Sequence, residues 1–459
     1  MVAAGGEVRR ELGALGRLAA PMILAQVTQM GMGVADTIMA GQVSAVDLAG
    51  VALGGNFYWP LLLLLSGTLM SLTPTISQLH GRGRQAEAGE AFRQALWVAA
   101  VGAVLMILAL HNVQPVYHFV GVDPRAVPVA VGYLQAVSFG VVPLLGYFCL
   151  RFLCEGMSWT LPAMWIAAGA LALKIPLNYL FIYGAFGIEG MGGVGCGWAS
   201  AIVITFQVLV MLIVVSRSRI RVTGALGRFS RPDPRAIVRL VKLGLPIGVT
   251  NFMEVGMFSI VTLLIGRLGA EAVAAHMIAA NVGGMMFMVP MALGMAVSIR
   301  VGFNVGAGDL PAARRSGWVA IWLSLGFAVL AAAFVWSLRE PIAGLYSSDP
   351  LVLLLAVDLL LFVAVFQFFD DSQVTALGAL RGFKDTRATM WIAMLSYWGV
   401  GLPVGVALGF DWVSLGDLDG VRGFWIGLVA GLAVAALVLV WRFRWLSTRP
   451  EQIARFSER

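Results

Sequence analysis

Asp36, Lys174, Glu254, Asp370 and Asp371 stand inside otherwise apolar sequence. Glu254 lies in NFMEVGMFSIVTLLIG, residues 251–266, and the two aspartates lie in LLLFVAVFQFFDDSQVTALGALRG, residues 359–382. A charged, unpaired carboxylate is costly at bilayer depth, so such residues face a cavity and act there. Two carboxylates in one low-dielectric cavity cannot both stay charged and bare. They take up a proton, a sodium ion or a cationic molecule. Competition between a coupling ion and a cationic cargo for the same negative charge is a physical basis for exchange. Asp371 is about 100° round a helix from Asp370, so the two cannot face one partner. Asp358, about 18 Å earlier along the same helix, reads as an outer-leaflet or packing residue. Asp36, in GMGVADTIMAG, and Lys174, in LALKIPLNYLFIYG, can sit at similar depth. Lys174 is too central in its apolar run to snorkel. A pair with Asp36 would form one proton-responsive unit. Phe252, Phe258, Phe366, Phe368 and Phe369 could stack on a flat organic cation, although lipid contact or core packing is the plainer role for most of them.

These residues need a membrane around them. Of 459 residues, 59% are hydrophobic and only 12% charged, against about 25% charged in soluble domains. Mean hydropathy is +0.88. Soluble enzyme classes drop out. Apolar runs fall near 18–40, 48–72, 94–112, 128–150, 161–184, 194–216, 241–265, 275–304, 316–337, 351–378, 388–410 and 423–443. Each is long enough for a helix to cross the hydrocarbon, which takes about 20 residues. The fold class is an all-α polytopic membrane protein with twelve transmembrane helices. The net charge of +7 and pI of 9.7 come from loops, so topology and not nucleic acid accounts for them. Alternate loops carry Arg82, Arg84 and Arg93, then Arg151, then the basic segment 216–242, then Arg300, Arg314 and Arg315, then Arg381, Lys384 and Arg387, and the tail up to Arg459. The opposite loops collect acids, among them Asp47, Asp123, Glu189, Glu271, Asp349, Asp411 and Asp417. This bias puts both termini in the cytoplasm. Glu254 and Asp370 then both fall in the inner-to-middle part of the bilayer. Cys149, Cys154 and Cys196 form neither a metal spacing nor a disulfide framework.

The chain repeats itself. Pro21 and Pro246 are 225 residues apart, and at that offset Gly31, Met32, Thr37, Gly41 and Asn56 meet Gly256, Met257, Thr262, Gly266 and Asn281. Gly81 and Gly83 meet Gly306 and Gly308, and the offset then drifts to 226 at Gly156 and Gly382. An even number of spans per repeat gives both halves one orientation, related by an axis along the membrane normal. The expected organisation is two pseudo-symmetric six-helix lobes around a central cleft. They are residues 1–215 and 243–446, joined by a basic cytoplasmic linker at 216–242, with a cytoplasmic tail at 447–459. The first apolar run resembles a signal peptide in its basic flank, but its partner in the second half makes it part of the body.

The chain resembles the multidrug and toxin extrusion (MATE) family, in its bacterial NorM-like branch. The resemblance rests on APMILAQ at 20–26, VADTIMAGQVSAVDLAGVALG at 34–54, IPLNYLFIYG with GGVGCGWAS within 175–200, LGLPIGVTNFMEVGMFS at 243–259 and FFDDSQVTALGALRGFKDT at 368–386. It implies two six-helix lobes and export of cationic, amphipathic drugs and dyes, driven by sodium or protons. It also implies roles for Asp36, Glu254 and Asp370, and places Asn178 in a polar site of the first lobe. Asp370, not Asp371, fits the family's Asp-x-x-Gln pattern, which ends at Gln373. Lys174 stands where relatives often have an uncharged polar residue, and Phe366 where some have a tyrosine. Both departures count against sodium ligation and lean toward protons, with sodium at Glu254 and Asp370 as the metal alternative. No cofactor and no catalytic residue are expected. The expected partners are small organic cations and membrane lipids, the expected location is the bacterial inner membrane, and a monomer is expected.

Two other readings compete. A lipid-linked precursor flippase has related architecture, but its cargo suits a basic cavity, and here Lys174 is the one basic residue expected inside. An intramembrane enzyme would need a nucleophile and base or a metal set, whereas His80, His111, His118 and His276 are scattered.

Overall fold

The computed structural model describes residues 2–120, 123–185, 187–413, 416 and 419–458; Asp417 and Arg459 lie outside the described residues. Eleven helices among the described residues are long and apolar enough to cross a membrane, and a bent pair makes a twelfth. In order, spans 1 to 6 are Gly6–Gly41, Ala45–Gly81, Gln85–His111, the pair Val127–Ser138 and Val141–Gly156, Leu161–Tyr183 and Gly193–Arg217. Spans 7 to 12 are Pro234–Leu268, Ala270–Gly306, Leu310–Tyr346, Pro350–Gly382, Thr386–Gly409 and Val421–Leu446. Every expected apolar run has its helix. The 50° bend in span 4 falls just before Pro143, which has no N–H to offer the Phe139 carbonyl and crowds it.

Helix starts follow from local chemistry. Ser44 caps span 2 by accepting from the Asp47 N–H, and Asp309 caps span 9 by accepting from Ala312 N–H at 2.9 Å. Asp349 does the same for span 10, accepting from Leu351 N–H at 2.9 Å, with Pro350 at the first helical position. Such caps satisfy donors that the helix itself leaves open.

The chain divides into two compact units, Ala20–Gly248 and a second made of Val249–Arg459 with Met1–Ala19. The same packing device occurs in both. A side-chain carbon on Gly156 would stand 2.7 Å from Ile76 Cβ and 3.1 Å from the Thr73 carbonyl. One on Gly382 would stand 2.8 Å from Val301 Cβ and 2.9 Å from the Ser298 carbonyl. Ile76 and Val301, like Thr73 and Ser298, are 225 residues apart. The turns repeat too: Gly83 and Gly308 have φ of +74° and +78°, and Ser158 and Lys384 have φ of +58° and +64°. The repeat read from glycines is therefore a repeat of contacts and turns. In lipid, close approach of small residues replaces the hydrophobic drive between helices. Spans 11 and 12 show this at Gly401, Gly405, Gly427 and Gly431, where a carbon on Gly427 would meet Gly405 Cα at 2.4 Å.

In the second unit, Glu11 of span 1 is buried and accepts from Arg300 Nη2 at 2.7 Å and from Ser316 Oγ at 2.9 Å. In the first unit, the segment between spans 6 and 7 is pinned to span 3. Arg93 donates to the Gly224 carbonyl at 2.7 Å, Gln94 to the Arg231 carbonyl at 2.9 Å and Trp97 to the Ser230 carbonyl at 3.1 Å.

Candidate functional site

In the first unit, spans 1, 5 and 6 bring Asp36, Lys174 and Asn178 together. Lys174 and Asn178 are four residues apart on span 5 and so share a face. Lys174 Nζ lies 2.9 Å from Asp36 Oδ1, and Asn178 Nδ2 donates to the same oxygen at 2.7 Å. The Lys174 ammonium also donates to Ser200 Oγ and to the Cys196 carbonyl, both on span 6. Lys174 is 2% exposed and the Asp36 side chain 14%. This is a compensated ion pair with its donors used, inside apolar helices. Ser200 and Cys196 complete it and were not anticipated as members. Both lie in the GGVGCGWAS stretch, but a run of small residues does not announce which of them faces a lysine.

In the second unit, span 7 supplies Glu254 and span 10 supplies Asp370, and their charges act on each other. Asp370 is 3% exposed and Glu254 is half-buried. Gln373 Nε2 donates to Asp370 Oδ1 at 3.3 Å, and Tyr397 OH donates to Gln373 Oε1 at 2.9 Å. This line of donors orients Asp370. Tyr397 sits in Leu395–Gly401 of span 11, a stretch wound as a π-helix, and such widened turns recur at functional sites. Trp398, in the same stretch, donates to the Met253 carbonyl at 3.2 Å, next to Glu254.

Arg381 corrects the expectation for the second half. Its place beyond the apolar run of span 10 predicts a loop cation, with Lys174 as the one basic residue inside. Instead it occupies the last turns of span 10, donates to Asn251 Oδ1 on span 7 at 3.1 Å, and its charge acts on Glu254. The hydropathy window ends too early to see this, because a helix can carry a polar last turn inside the protein.

Asp371 is separate from Asp370, as the helix rotation requires: it is fully buried, and its carbonyl accepts from Ser324 of span 9. Asp358 meets Arg422 in a salt bridge, so it is a packing residue. Phe258 and Phe366 stack edge-on at 6.0 Å, and Phe366 meets Trp425 at 5.9 Å. Phe366 is thus core packing, whereas Phe252 is exposed. His276 is buried, with Nε2 2.9 Å from Thr262 Oγ1 and its ring edge-on to Trp425. Among the described residues no group of three or more His, Cys, Asp or Glu could hold a metal ion. The cysteines are free and buried.

A family model described as MatE matches residues 21–180 and again residues 246–407, one match in each half of the repeat. The chain belongs to the MATE family. It is similar to the multidrug resistance protein PmpM of Pseudomonas aeruginosa, 44% identical over 442 residues, covering 95% of this chain and 91% of that one. It is also similar to the multidrug resistance protein MdtK of Yersinia pseudotuberculosis, 43% identical over 435 residues, 94% and 95% of the two chains. Among solved structures, the eukaryotic MATE transporter AtDTX14 superposes with a TM-score of 0.86 at 19% identity, over 98% of this chain and 99% of that one. The last likeness speaks for the fold. As a MATE protein, the chain is a multi-pass membrane transporter and not an enzyme.

Proposed function

We propose that this MATE protein is a multidrug efflux antiporter that exports cationic, amphipathic drugs and dyes in exchange for protons or sodium ions. The observation that carries the proposal is the pair Glu254 and Asp370, two carboxylates inside apolar spans that flank one stretch of span 11, where Trp398 holds the Met253 carbonyl beside Glu254 and Tyr397 reaches Asp370 through Gln373. With Arg381 as the cation acting on Glu254, the group keeps one surplus negative charge when all three are ionised. A cationic cargo or a coupling ion neutralises that charge, and the two compete for it. Asp36, already paired with Lys174 and held by Asn178, has less free charge to offer, so we assign the first-unit group the supporting role. The names of PmpM and MdtK agree with this reading.

Access alternates between the two sides of the membrane. Cargo binds from the cytoplasm, ion entry from outside neutralises the carboxylates, and the cargo leaves. No hydroxyl from residue 366 is available for sodium, because Phe366 is a phenylalanine packed on Trp425, and this favours protons. The charge bias of the loops supports cytoplasmic termini and insertion in the bacterial inner membrane. The transport halves are residues 1–215 and 243–446, with 216–242 as the linker and 447–459 as the tail, and the protein works as a monomer among membrane lipids.

Ethidium efflux tests the proposal in whole cells and inside-out vesicles, with a proton or a sodium gradient imposed separately. Wild type should respond to one gradient. Glu254→Gln and Asp370→Asn should fall to the background of vesicles lacking the protein while inserting normally. Wild-type protein present in the membrane but inert under both gradients would sink drug export and favour a lipid-linked precursor as cargo.

A further inference from the structure

Neither carboxylate oxygen of the fully buried Asp371 has a hydrogen-bond partner. One turn earlier, Gln367 is also fully buried, and neither its amide oxygen nor its amide nitrogen has a partner. Residues four apart share a helix face, so four unpartnered polar atoms lie together on span 10. Buried polar atoms are almost always hydrogen-bonded, and a bare buried carboxylate is the most costly case.

The neighbours do not neutralise it. Spans 7, 8, 9, 11 and 12 all pack on span 10; on span 7, Arg235, Arg239, Lys242 and Arg267 are exposed and Glu254 lies toward Arg381. Their arginines are engaged elsewhere: Arg300 with Glu11, Arg315 with Glu7, Arg422 with Asp358 and Arg442 with Asp385. Arg314, Arg387 and Arg444 are exposed, as are Glu271 and Glu340. Arg339 donates to the Trp336 carbonyl, His276 is turned to Thr262, and Tyr397 donates to Gln373. Ser324 spends its hydroxyl on the Asp371 carbonyl, which also accepts from Thr375. The charge that acts on Asp371 is that of Asp370, of the same sign. A hard cation would find only the carboxylate and one amide oxygen, too few ligands.

We propose that Asp371 and Gln367 form a second proton site, separate from Glu254 and Asp370. Asp371 is a neutral carboxylic acid there, closed in a two-bond ring with the amide: its O–H donates to Gln367 Oε1, and Gln367 Nε2 donates to the acid carbonyl. The ring satisfies all four atoms. Side chains four apart on a helix have Cβ atoms about 5–6 Å apart, so a change of rotamer closes it. The bound ligand is the proton itself, and the site does not depend on which cargo the protein carries.

Infrared spectroscopy of the full-length protein in lipid vesicles reads the carbonyl stretch of a protonated carboxylic acid without requiring transport. Wild type should show such a band at neutral pH, and Asp371→Asn should lack it. Gln367→Leu should keep it at higher frequency, because the hydrogen bond to the acid carbonyl is gone. The Glu254→Gln, Asp370→Asn double variant should keep it unchanged. A wild-type spectrum without the band, or a band untouched in Asp371→Asn, overturns the proposal, as does a band unmoved in Gln367→Leu. Failure of ethidium efflux with the Asp371 band intact would overturn the antiport reading alone.

Discussion

Lys174→Met is expected to destabilise the protein by about 3–5 kcal/mol, the usual result of stripping one partner from a buried ion pair. The ammonium is 2% exposed and makes its contacts with Asp36, Ser200 and the Cys196 carbonyl. Methionine fills the volume but leaves the Asp36 carboxylate with Asn178 as its one side-chain donor. The Lys174→Met, Asp36→Asn double variant removes both charges and should recover most of the loss. Melting of the purified protein in detergent, read for wild type and the single and double variants, checks both statements. An unchanged transition in Lys174→Met would show that the pair does not hold spans 1, 5 and 6 together.

Gly378→Ala should have an effect of similar size for a different reason. The added carbon would stand 2.1 Å from the Gly294 carbonyl oxygen and 2.8 Å from Gly294 Cα. Both are backbone, so spans 8 and 10 must part. Overpacking typically costs about 1–3 kcal/mol, and a backbone obstacle puts this change at the upper end. The shift reaches Asp370, Asp371 and Gln373, which lie within the preceding turns of the same helix. Gly284→Ala on span 8 is the control, because nothing stands within 4 Å of its added carbon. Melting and gradient-driven efflux measured together should fall for Gly378→Ala and hold for Gly284→Ala. Equal behaviour of the two would show that the close approach carries no strain.

Much of this architecture is legible before any coordinates. Hydropathy finds the twelve spans, because a bilayer tolerates little else at that length. Depth within a span is also readable, which is how Asp36 and Lys174 can be matched across 138 residues. Lateral neighbours are not readable. Ser200 and Tyr397 belong to polar clusters only because particular helix faces meet, and nothing in their flanking residues marks those faces. Arg381 was misplaced because hydropathy measures where apolar sequence ends, whereas helix and burial continue past that point. The phenylalanines illustrate the reverse: Phe366 looks available for cargo by position but is consumed by Phe258 and Trp425.

The segment after span 6 is rich in arginine. With Arg217, Arg219, Arg221, Arg228 and Arg231 in sequence, it reads as a preferred target for a trypsin-like protease. Such enzymes cut chain that can be drawn out into their own cleft, and exposed loop tips are where that happens. Here the carbonyls of Gly224, Ser230 and Arg231 are held by Arg93, Trp97 and Gln94, and Ser230 Oγ donates to Glu90 at 2.7 Å. Cleavage there must wait for those bonds to open, so the digestion rate of this stretch is a clock for its release from span 3.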